Sequence, residues 1–197
     1  TEHIAFRGAQ MASTIIVAPL GIIAIAANSF GITIESLCYM PGFGIADAAT
    51  TLVGQSLGAN RWRLARSFSY FTIAIGMSIM TLMAVVMYVF SPELMQLMTP
   101  DAAVQNLTVE VLCIEAFAEP MYAASIVVYG VMVGAGRTLA PCFMNLGSIW
   151  LVRITLASLL AGKMGLRGVW IAMAIELTFR GVIFLVEMFR FARARMH

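Results

Sequence analysis

Charge is scarce in this sequence of 197 residues, in which Asp, Glu, Lys and Arg together make up 11%. Soluble domains carry roughly 25% charged residues, and disordered chains combine high charge with low hydrophobicity. The composition therefore excludes an ordinary soluble domain and a disordered chain. The net charge of +2 is also too small for a nucleic-acid partner, which selects strongly basic surfaces.

Metal-binding residues are scarce as well. The two histidines, His3 and His197, lie near the chain ends, and the three cysteines lie inside apolar segments. No two of these residues have the spacing of a metal site, and no His-x-x-x-His pattern is present. We therefore expect no metal, no cofactor and no enzymatic activity.

Long apolar segments dominate the chain, because 61% of its residues are hydrophobic. A membrane-spanning helix needs about 20 apolar residues, so six spans would use about 120 of them. We predict an all-α membrane protein forming a single lobe. Its six transmembrane helices are predicted at about residues 4–20, 22–57, 67–90, 101–133, 141–160 and 169–189.

Proline and glycine mark the expected bends and ends of these helices. The second helix would be about 54 Å long at 1.5 Å per residue, so we expect it to bend at Pro41. Residues 91–101 are expected to form a loop in which Thr99 caps the fourth helix. Glycine-containing turns at 58–61 and 134–137 are expected to end the second and fourth helices.

Basic residues are unevenly distributed between the two sets of predicted loops. One side would carry Arg7, Arg61, Arg63, Arg66, Arg137, Arg190, Arg193 and Arg195. The other side would carry Lys163 and Arg167. Because cytoplasmic loops are rich in Lys and Arg, we predict a multi-pass protein of the plasma (inner) membrane with both termini cytoplasmic.

Ionisable residues inside the spans are the candidate functional residues, because a charge near the bilayer centre costs at least about 2.5–3.5 kcal/mol. Seven such residues are present: Glu35, Asp47, Glu115, Glu119, Glu176, Arg153 and Arg180. The two arginines can neutralise at most two acids, so the other acids must be protonated, hydrated or paired with an external group. Exchangeable protons or cations would serve in a coupled transporter, and water-filled cavities or helix contacts are the alternative. Glu35 and Asp47 are candidate additional coupling sites.

The fourth predicted helix carries the densest set of candidates. At 100° per residue, four of its residues fall within about 80° of one another: Glu115, Glu119, Tyr122 and Tyr129. Pro120 has no N–H to donate to the Ala116 carbonyl, and a freed carbonyl beside two carboxylates is a plausible proton or cation site. We assign Glu115 and Glu119 to cation coupling and the two tyrosines to a substrate cavity. A proline kink with a packed polar stripe is the alternative.

The last two predicted helices carry the remaining charges. Glu176 and Arg180 are four residues apart, which favours a structural ion pair within one helix. Arg153 has no such partner, so we expect it to line the substrate cavity and to reach Glu115 or Glu176 on another helix.

Three motifs carry a family resemblance. Residues 42–61, with the core Leu-Val-Gly-Gln-Ser-Leu-Gly-Ala-Asn at 52–60, look like the helix-end motif of the multidrug and toxic compound extrusion (MATE) family. Residues 130–141 and 165–172 are similar to two further signatures of that family. The three motifs occur in the family's order and spacing and cover most of the chain.

The resemblance implies one half of a larger transporter. Members have twelve helices in two lobes, with a central cavity that opens alternately to either side. This chain would be the C-terminal lobe, with the N-terminal lobe apparently absent, and it would need that lobe or a second copy as partner. The implied activity is H⁺- or Na⁺-coupled export of amphipathic, cationic compounds.

The resemblance also bears on the site residues. In one branch of the family the coupling acids include one in the lobe's fourth helix, where Glu119 and Tyr122 lie here. The usual family residue is an aspartate near the position of Tyr122. That branch also has an acid in the lobe's first helix, where this sequence has only Glu2.

Three alternatives follow from the same observations. A lipid-linked glycan flippase of the same superfamily would have a cavity lined by several basic residues, but only Arg153 and Arg180 are available here. A membrane-embedded enzyme would need a metal or nucleophile cluster. A purely structural subunit would have no use for a surplus of buried acids.

Overall fold

A computed structural model describes residues 14–194, and within that range the chain forms helices and no strands. A short 3-10 turn at Ala18–Leu20 precedes six helices. These are α1 (Ile22–Gly58), α2 (Trp62–Met98), α3 (Ala102–Ala116), α4 (Glu119–Gly134), α5 (Leu139–Met164) and α6 (Leu166–Ala194). The helix predicted at 4–20 lies largely outside the described residues.

Four of these helices, α1, α2, α5 and α6, are long and apolar enough to cross a membrane. The pair α3 and α4 passes the same test only when taken together, and its two members are bent by 57° at the break between them. The described residues therefore contain four spans, or five if the bent pair is one span. The prediction of an all-α, multi-pass membrane protein is confirmed.

The second described helix is longer than predicted, because α2 continues through Pro92 to Met98 where a loop was expected. Pro92 cannot donate to the Tyr88 carbonyl one turn earlier. The hydroxyl of Ser91, a fully buried residue, donates to that carbonyl instead, at 3.5 Å. A side chain thus replaces the missing backbone donor, which is how a proline is tolerated inside a membrane helix.

The helix predicted at 101–133 is two helices, because the chain breaks at Phe117 and Ala118 and restarts at Glu119. Pro120 then occupies the first turn of α4, where its missing N–H costs nothing. The N-cap of α3 is Asp101 rather than Thr99. Its side chain accepts hydrogen bonds from the backbone N–H groups of Ala103 and Val104.

The remaining boundaries differ in detail from the predictions. The expected turns at 58–61 and 134–137 do end helices, with Asn60 at φ +58° and Gly136 at φ +75°. The gap left between the helices predicted at 141–160 and 169–189 is reduced to Gly165, whose φ of +61° suits glycine. Residues 148–153 of α5 form a π-helical segment that the sequence pattern did not predict. α1 runs unbroken through Pro41, and the bend expected there stays a prediction.

Helix α4 lies at the centre of the lobe. It contacts α1, α2 and α6, and most of its side chains are buried. Helix α5 packs along α6. Because α4 follows directly on the break at 117–118, the residues at its beginning are buried among these helices.

Small residues bring α4 and α1 close together. A methyl group added at Gly130 would overlap the Ala46 carbonyl, and one added at Gly134 would overlap the Thr50 carbonyl. The Thr50 hydroxyl donates to the Gly130 carbonyl at 2.8 Å across the interface. Glycines four residues apart with an interhelical hydrogen bond are typical of close helix pairs in membranes.

We predict that Gly130→Ala lowers the stability of the full-length protein by about 1–3 kcal/mol, because the added methyl group forces α1 and α4 apart. Thermal unfolding in detergent, followed by the loss of the monodisperse gel-filtration peak, measures the effect. Gly162→Ala is the matched control, because nothing lies within 4 Å of a Cβ at that helical position. Equal melting temperatures for the two variants would show that the close approach does not limit stability.

Candidate functional site

A small cavity lies between the helices. Its lining includes Glu35 and Tyr39 from α1, Tyr122 from α4, Arg153 from α5 and Arg180 from α6. The cavity volume is about 50 Å³, whereas pockets for drug-sized ligands measure about 300–1,000 Å³. In this conformation it has room for a few water molecules or a small charged group, and not for a whole drug molecule.

The two carboxyl groups at the helix break are the most unusual feature of the lobe. Glu115 lies in the last turn of α3 and Glu119 is the first residue of α4, and both side chains are fully buried. None of their four carboxylate oxygens has a hydrogen-bond partner within residues 14–194. Burying a polar group without a partner costs several kcal/mol, and a charged group costs far more.

The break itself places these two acids. The sequence pattern predicted that the two acids lie one turn apart on a straight helix. The chain instead turns by 57° between them. The backbone of the break is hydrogen-bonded locally: Ala118 N–H donates to the Glu115 carbonyl, and Tyr122 N–H donates to the Ala118 carbonyl. The turn is therefore fixed, and it directs two adjacent helix ends into the interior.

A polar network joins α5 to α6 beside the cavity. Arg180 Nε lies 3.2 Å from Glu176 Oε1, and both side chains are buried. The same Oε1 accepts a hydrogen bond from the Ser148 hydroxyl at 2.6 Å, while Arg180 Nη1 donates to Asn145 Oδ1 at 2.6 Å. Arg180 Nε and Glu176 Oε2 make no hydrogen bond with any described residue. The structure thus places the expected ion pair within one helix but leaves it incompletely satisfied.

Arg153 lies at the end of the π segment and does not make the contact expected of it. Its Nη2 donates to the Met173 sulfur at 2.6 Å, and neither Glu115 nor Glu176 lies within ion-pair distance of it in the described part of the chain. The expectation assumed a regular α-helix, whereas the π segment changes the direction in which the following residues point. Arg153 does line this cavity, and its role towards a substrate stays a prediction.

Asp47 and Tyr129 lie apart from the other predicted site residues. Asp47 is exposed on α1, twelve residues beyond Glu35, or about 18 Å along the helix axis. Tyr129 packs near Phe184, with ring centroids 6.5 Å apart, in a separate core cluster. The structure therefore groups Glu35, Tyr122 and Arg153 at the cavity. Its lining does not include Asp47 or Tyr129, nor the two acids at the helix break, Glu115 and Glu119.

Several polar residues of the site were not identified from the sequence. Trp170 is almost fully buried, and its indole N–H donates to Asn28 Oδ1 at 3.1 Å beside the cavity. Asn28 is a polar residue within a long apolar segment, which is the signal that could have revealed it. Nothing in the spacing of Asn145 and Ser148 indicates their role, because that role depends on the π segment.

The Gly-x-Ser-x-Gly pattern at residues 54–58, which sequence reasoning overlooked, is not a nucleophile site. In hydrolases this pattern forms a sharp turn between a strand and a helix. Here it lies inside α1, and the buried Ser56 donates its hydroxyl to the Leu52 carbonyl at 2.7 Å. The serine is a helix residue without the exposed position that catalysis requires.

Comparison with known proteins agrees with the fold. The MatE family matches residues 2–159. The proteins named "Probable multidrug resistance protein NorM" of Mannheimia succiniciproducens and Thermotoga maritima are each 27% identical, over 184 and 165 residues respectively. These alignments cover 90% and 83% of this chain but only 40% and 36% of the relatives.

Solved structures show the same architecture. The Vibrio cholerae MATE transporter VcmN, in its bent form, superposes with a TM-score of 0.90 at 19% identity. The MATE transporter ClbM, in complex with Rb⁺, superposes with a TM-score of 0.88 at 21% identity. The superpositions cover 98% and 95% of this chain and 44% of each of those two chains.

Fold and site together define a multi-pass helical membrane protein with two acids buried at a helix break. The chain belongs to the MATE family, because the family match extends over most of its length. The prediction made from its three motifs is confirmed. The chain spans about two fifths of the length of the curated relatives it matches.

We predict that Arg180→Gln destabilises the full-length protein by about 3–5 kcal/mol, because it leaves the buried Glu176 carboxylate without its cation. The double change Glu176→Gln/Arg180→Gln is expected to be milder, since it removes both charges together. Melting temperatures of the purified variants in detergent test the difference. Equal losses in the single and double variants would show that Arg180 is not what stabilises Glu176.

Proposed function

We propose that this chain forms one lobe of a cation-coupled antiporter, which exports amphipathic, cationic compounds by alternating access. The observation that carries the proposal is the pair of buried acids at the break between α3 and α4. Glu115 and Glu119 offer four oxygens and no described residue pairs with any of them. A bound proton or metal cation would supply the missing partner.

Coupling requires that occupancy of such a site changes the relative energy of two conformations. Neutral carboxyl groups tolerate burial, whereas ionised ones draw in water or a cation. Because the acids lie on either side of a two-residue break, a change in their charge acts directly on the joint between α3 and α4. We infer that loading and release of H⁺ or Na⁺ alters the angle between these helices.

Related proteins support this function. Two relatives are named as multidrug resistance proteins, and the structural neighbour ClbM has been solved in complex with Rb⁺. A monovalent cation is what the coupling step proposed here requires.

Alternating access also needs a second wall for the central cavity. We propose that the other lobe of the transporter, or a second copy of this lobe, supplies it. The 50 Å³ cavity seen here would then be one side of a larger space between lobes.

Basic residues at one end of the lobe support an orientation in the membrane. There the rings of Trp62 and Phe191 lie 5.1 Å apart, and the Arg137 guanidinium lies 5.2 Å from the Phe191 ring. We propose that this end faces the cytoplasm of a cell with the protein in its plasma (inner) membrane. At the opposite end, Arg167 is paired with Glu110 at 2.6 Å.

A lipid-linked glycan flippase is the second candidate, and one observation favours it. The cavity lining includes two arginines, Arg153 and Arg180, and one acid, Glu35. A basic cavity suits the phosphate groups of a lipid-linked sugar. Arg180 is already paired with Glu176, however, which leaves one arginine and one acid to face a substrate.

We predict that Glu119→Gln abolishes coupled efflux while the protein still inserts into the membrane, because an amide has nearly the same shape but cannot exchange a proton or bind Na⁺ as a carboxylate does. The assay places the full-length transporter in liposomes and follows a fluorescent cationic dye under an imposed H⁺ or Na⁺ gradient. Glu93→Gln is the matched control, because Glu93 is exposed near the end of α2.

Two results would contradict this proposal. Transport near the wild-type rate in Glu119→Gln would remove Glu119 from the mechanism. Absence of dye movement under either gradient in the wild-type protein would favour the flippase, and transfer of a lipid-linked sugar across the liposome bilayer would then be measured.

A further inference from the structure

The face of the Tyr122 ring carries a cation that belongs to the protein itself. The Arg180 guanidinium carbon lies 5.3 Å from the centre of the ring. Both residues are almost fully buried, with Arg180 4% exposed and Tyr122 7% exposed. A cation over an aromatic face within about 6 Å is attracted by the ring, and more strongly where water is excluded. The Tyr122 ring therefore already binds a cation, the Arg180 guanidinium, in this conformation.

The Arg180 guanidinium has a second orientation available, towards Glu176. Its Nε has no hydrogen bond, although it lies 3.2 Å from Glu176 Oε1, and the other oxygen, Glu176 Oε2, has no partner among the described residues either. A carboxylate and a guanidinium pair most strongly through two parallel hydrogen bonds. A rotation of the guanidinium towards Glu176 would exchange its bond to Asn145 Oδ1 for these two bonds, and it would move the cation away from Tyr122.

The surroundings of the ring suit an organic cation. The Tyr39 ring lies nearly perpendicular to Tyr122, with centroids 5.8 Å apart. Tyr39, Trp170 and Glu35 line the same cavity. Aromatic walls with a carboxylate nearby are the arrangement that binds substituted ammonium groups. The space released by the guanidinium, added to a cavity of about 50 Å³, suits a cationic head group rather than a whole drug molecule.

We propose that the Tyr122 ring face binds the cationic group of the transported compound, and that Arg180 occupies this face when no compound is bound. The inference rests on the proposed export function and names the subsite within it. Arrival of a substrate cation displaces Arg180 into a two-bond pair with Glu176, and departure of the substrate allows it to return. When no substrate is bound, the Tyr122 ring is therefore covered by the Arg180 guanidinium.

This arrangement makes Arg180 a competitor of the substrate. A ligand that binds only when an internal group has moved loses apparent affinity in proportion to the fraction of time the group is in place. Removal of Arg180 should therefore tighten the binding of an organic cation, whereas removal of an attractive contact should weaken it. Opposite effects of the Tyr122 and Arg180 substitutions on cation binding distinguish this proposal from a merely structural role for both residues.

The test measures equilibrium binding of radiolabelled benzyltrimethylammonium to the full-length transporter in lipid nanodiscs without an ion gradient. Tyr122→Leu should weaken binding by about 10- to 30-fold, the magnitude of a buried cation–π contact. Tyr122→Phe keeps the ring and should retain most of the affinity. Tyr88→Leu is the matched control, because Tyr88 is a half-exposed ring on α2 outside the cavity.

The occupancy of the site by Arg180 is tested with Glu176→Gln/Arg180→Gln, which avoids leaving a buried carboxylate unpaired. This variant should bind the probe roughly threefold more tightly or better. Neopentylbenzene, the uncharged isostere of the probe, should not compete with it in any variant. If Tyr122→Leu does not fold, trifluorinated phenylalanine at position 122 serves instead, because fluorine weakens the attraction of the ring for cations while preserving its shape.

Unchanged binding in Tyr122→Leu or in the fluorinated variant would overturn the subsite. Unchanged or weaker binding in the double variant would overturn the role of Arg180 as its occupant. Either result is compatible with gradient-driven efflux by the wild-type protein, so it would leave the proposed function standing. Failure of efflux in the wild-type protein is a separate result, seen in the liposome assay.

Discussion

The organisation of this lobe depends on one missing hydrogen-bond donor, the backbone nitrogen of Pro120. That nitrogen cannot bond to the Ala116 carbonyl, and here, unlike at Pro41 and Pro92, the helix ends and restarts at Glu119 with a 57° change of direction. The break converts the middle of a membrane segment into two helix ends inside the protein. Within residues 14–194, this break is the only position where buried acids lie beside irregular backbone.

Close packing around α4 turns this local break into a site. The glycines of α4 allow α1 to approach until Thr50 can donate to the Gly130 carbonyl, so the position of Glu119 at the beginning of α4 is fixed against α1. Helix α6 supplies Arg180 and its ion-pair partner Glu176, and α5 supplies the Asn145 side chain that accepts a hydrogen bond from Arg180. One acid, Glu35, thus lines a small cavity together with aromatic rings and two arginines, and these residues come from four helices.

Sequence patterns predicted most of the fold and only part of the site. Apolar length and the turn at 58–61 are local properties, so the helices and their ends near Gly58 and Gly134 could be predicted. Pro92 and Pro120 have the same local signature, yet one lies within a helix and the other follows a break. The difference depends on the Ser91 hydroxyl and on tertiary packing, which a pattern does not reveal. Likewise, Arg153 was assigned to the cavity on the strength of its charge, but its contact with Met173 depends on the π segment.

The π segment of α5 has a consequence for how this lobe can change during evolution. A π turn contains one more residue than the α turn it replaces, so deletion of a single residue between 148 and 153 would restore a regular helix. In a regular α-helix, such a deletion would rotate every side chain on one side of it by about 100°. The π turn absorbs its extra residue, so the loss of that residue would leave Asn145 facing Arg180 and would rearrange only the turn itself. At this position the chain can therefore gain or lose one residue without reorganising the rest of the helix.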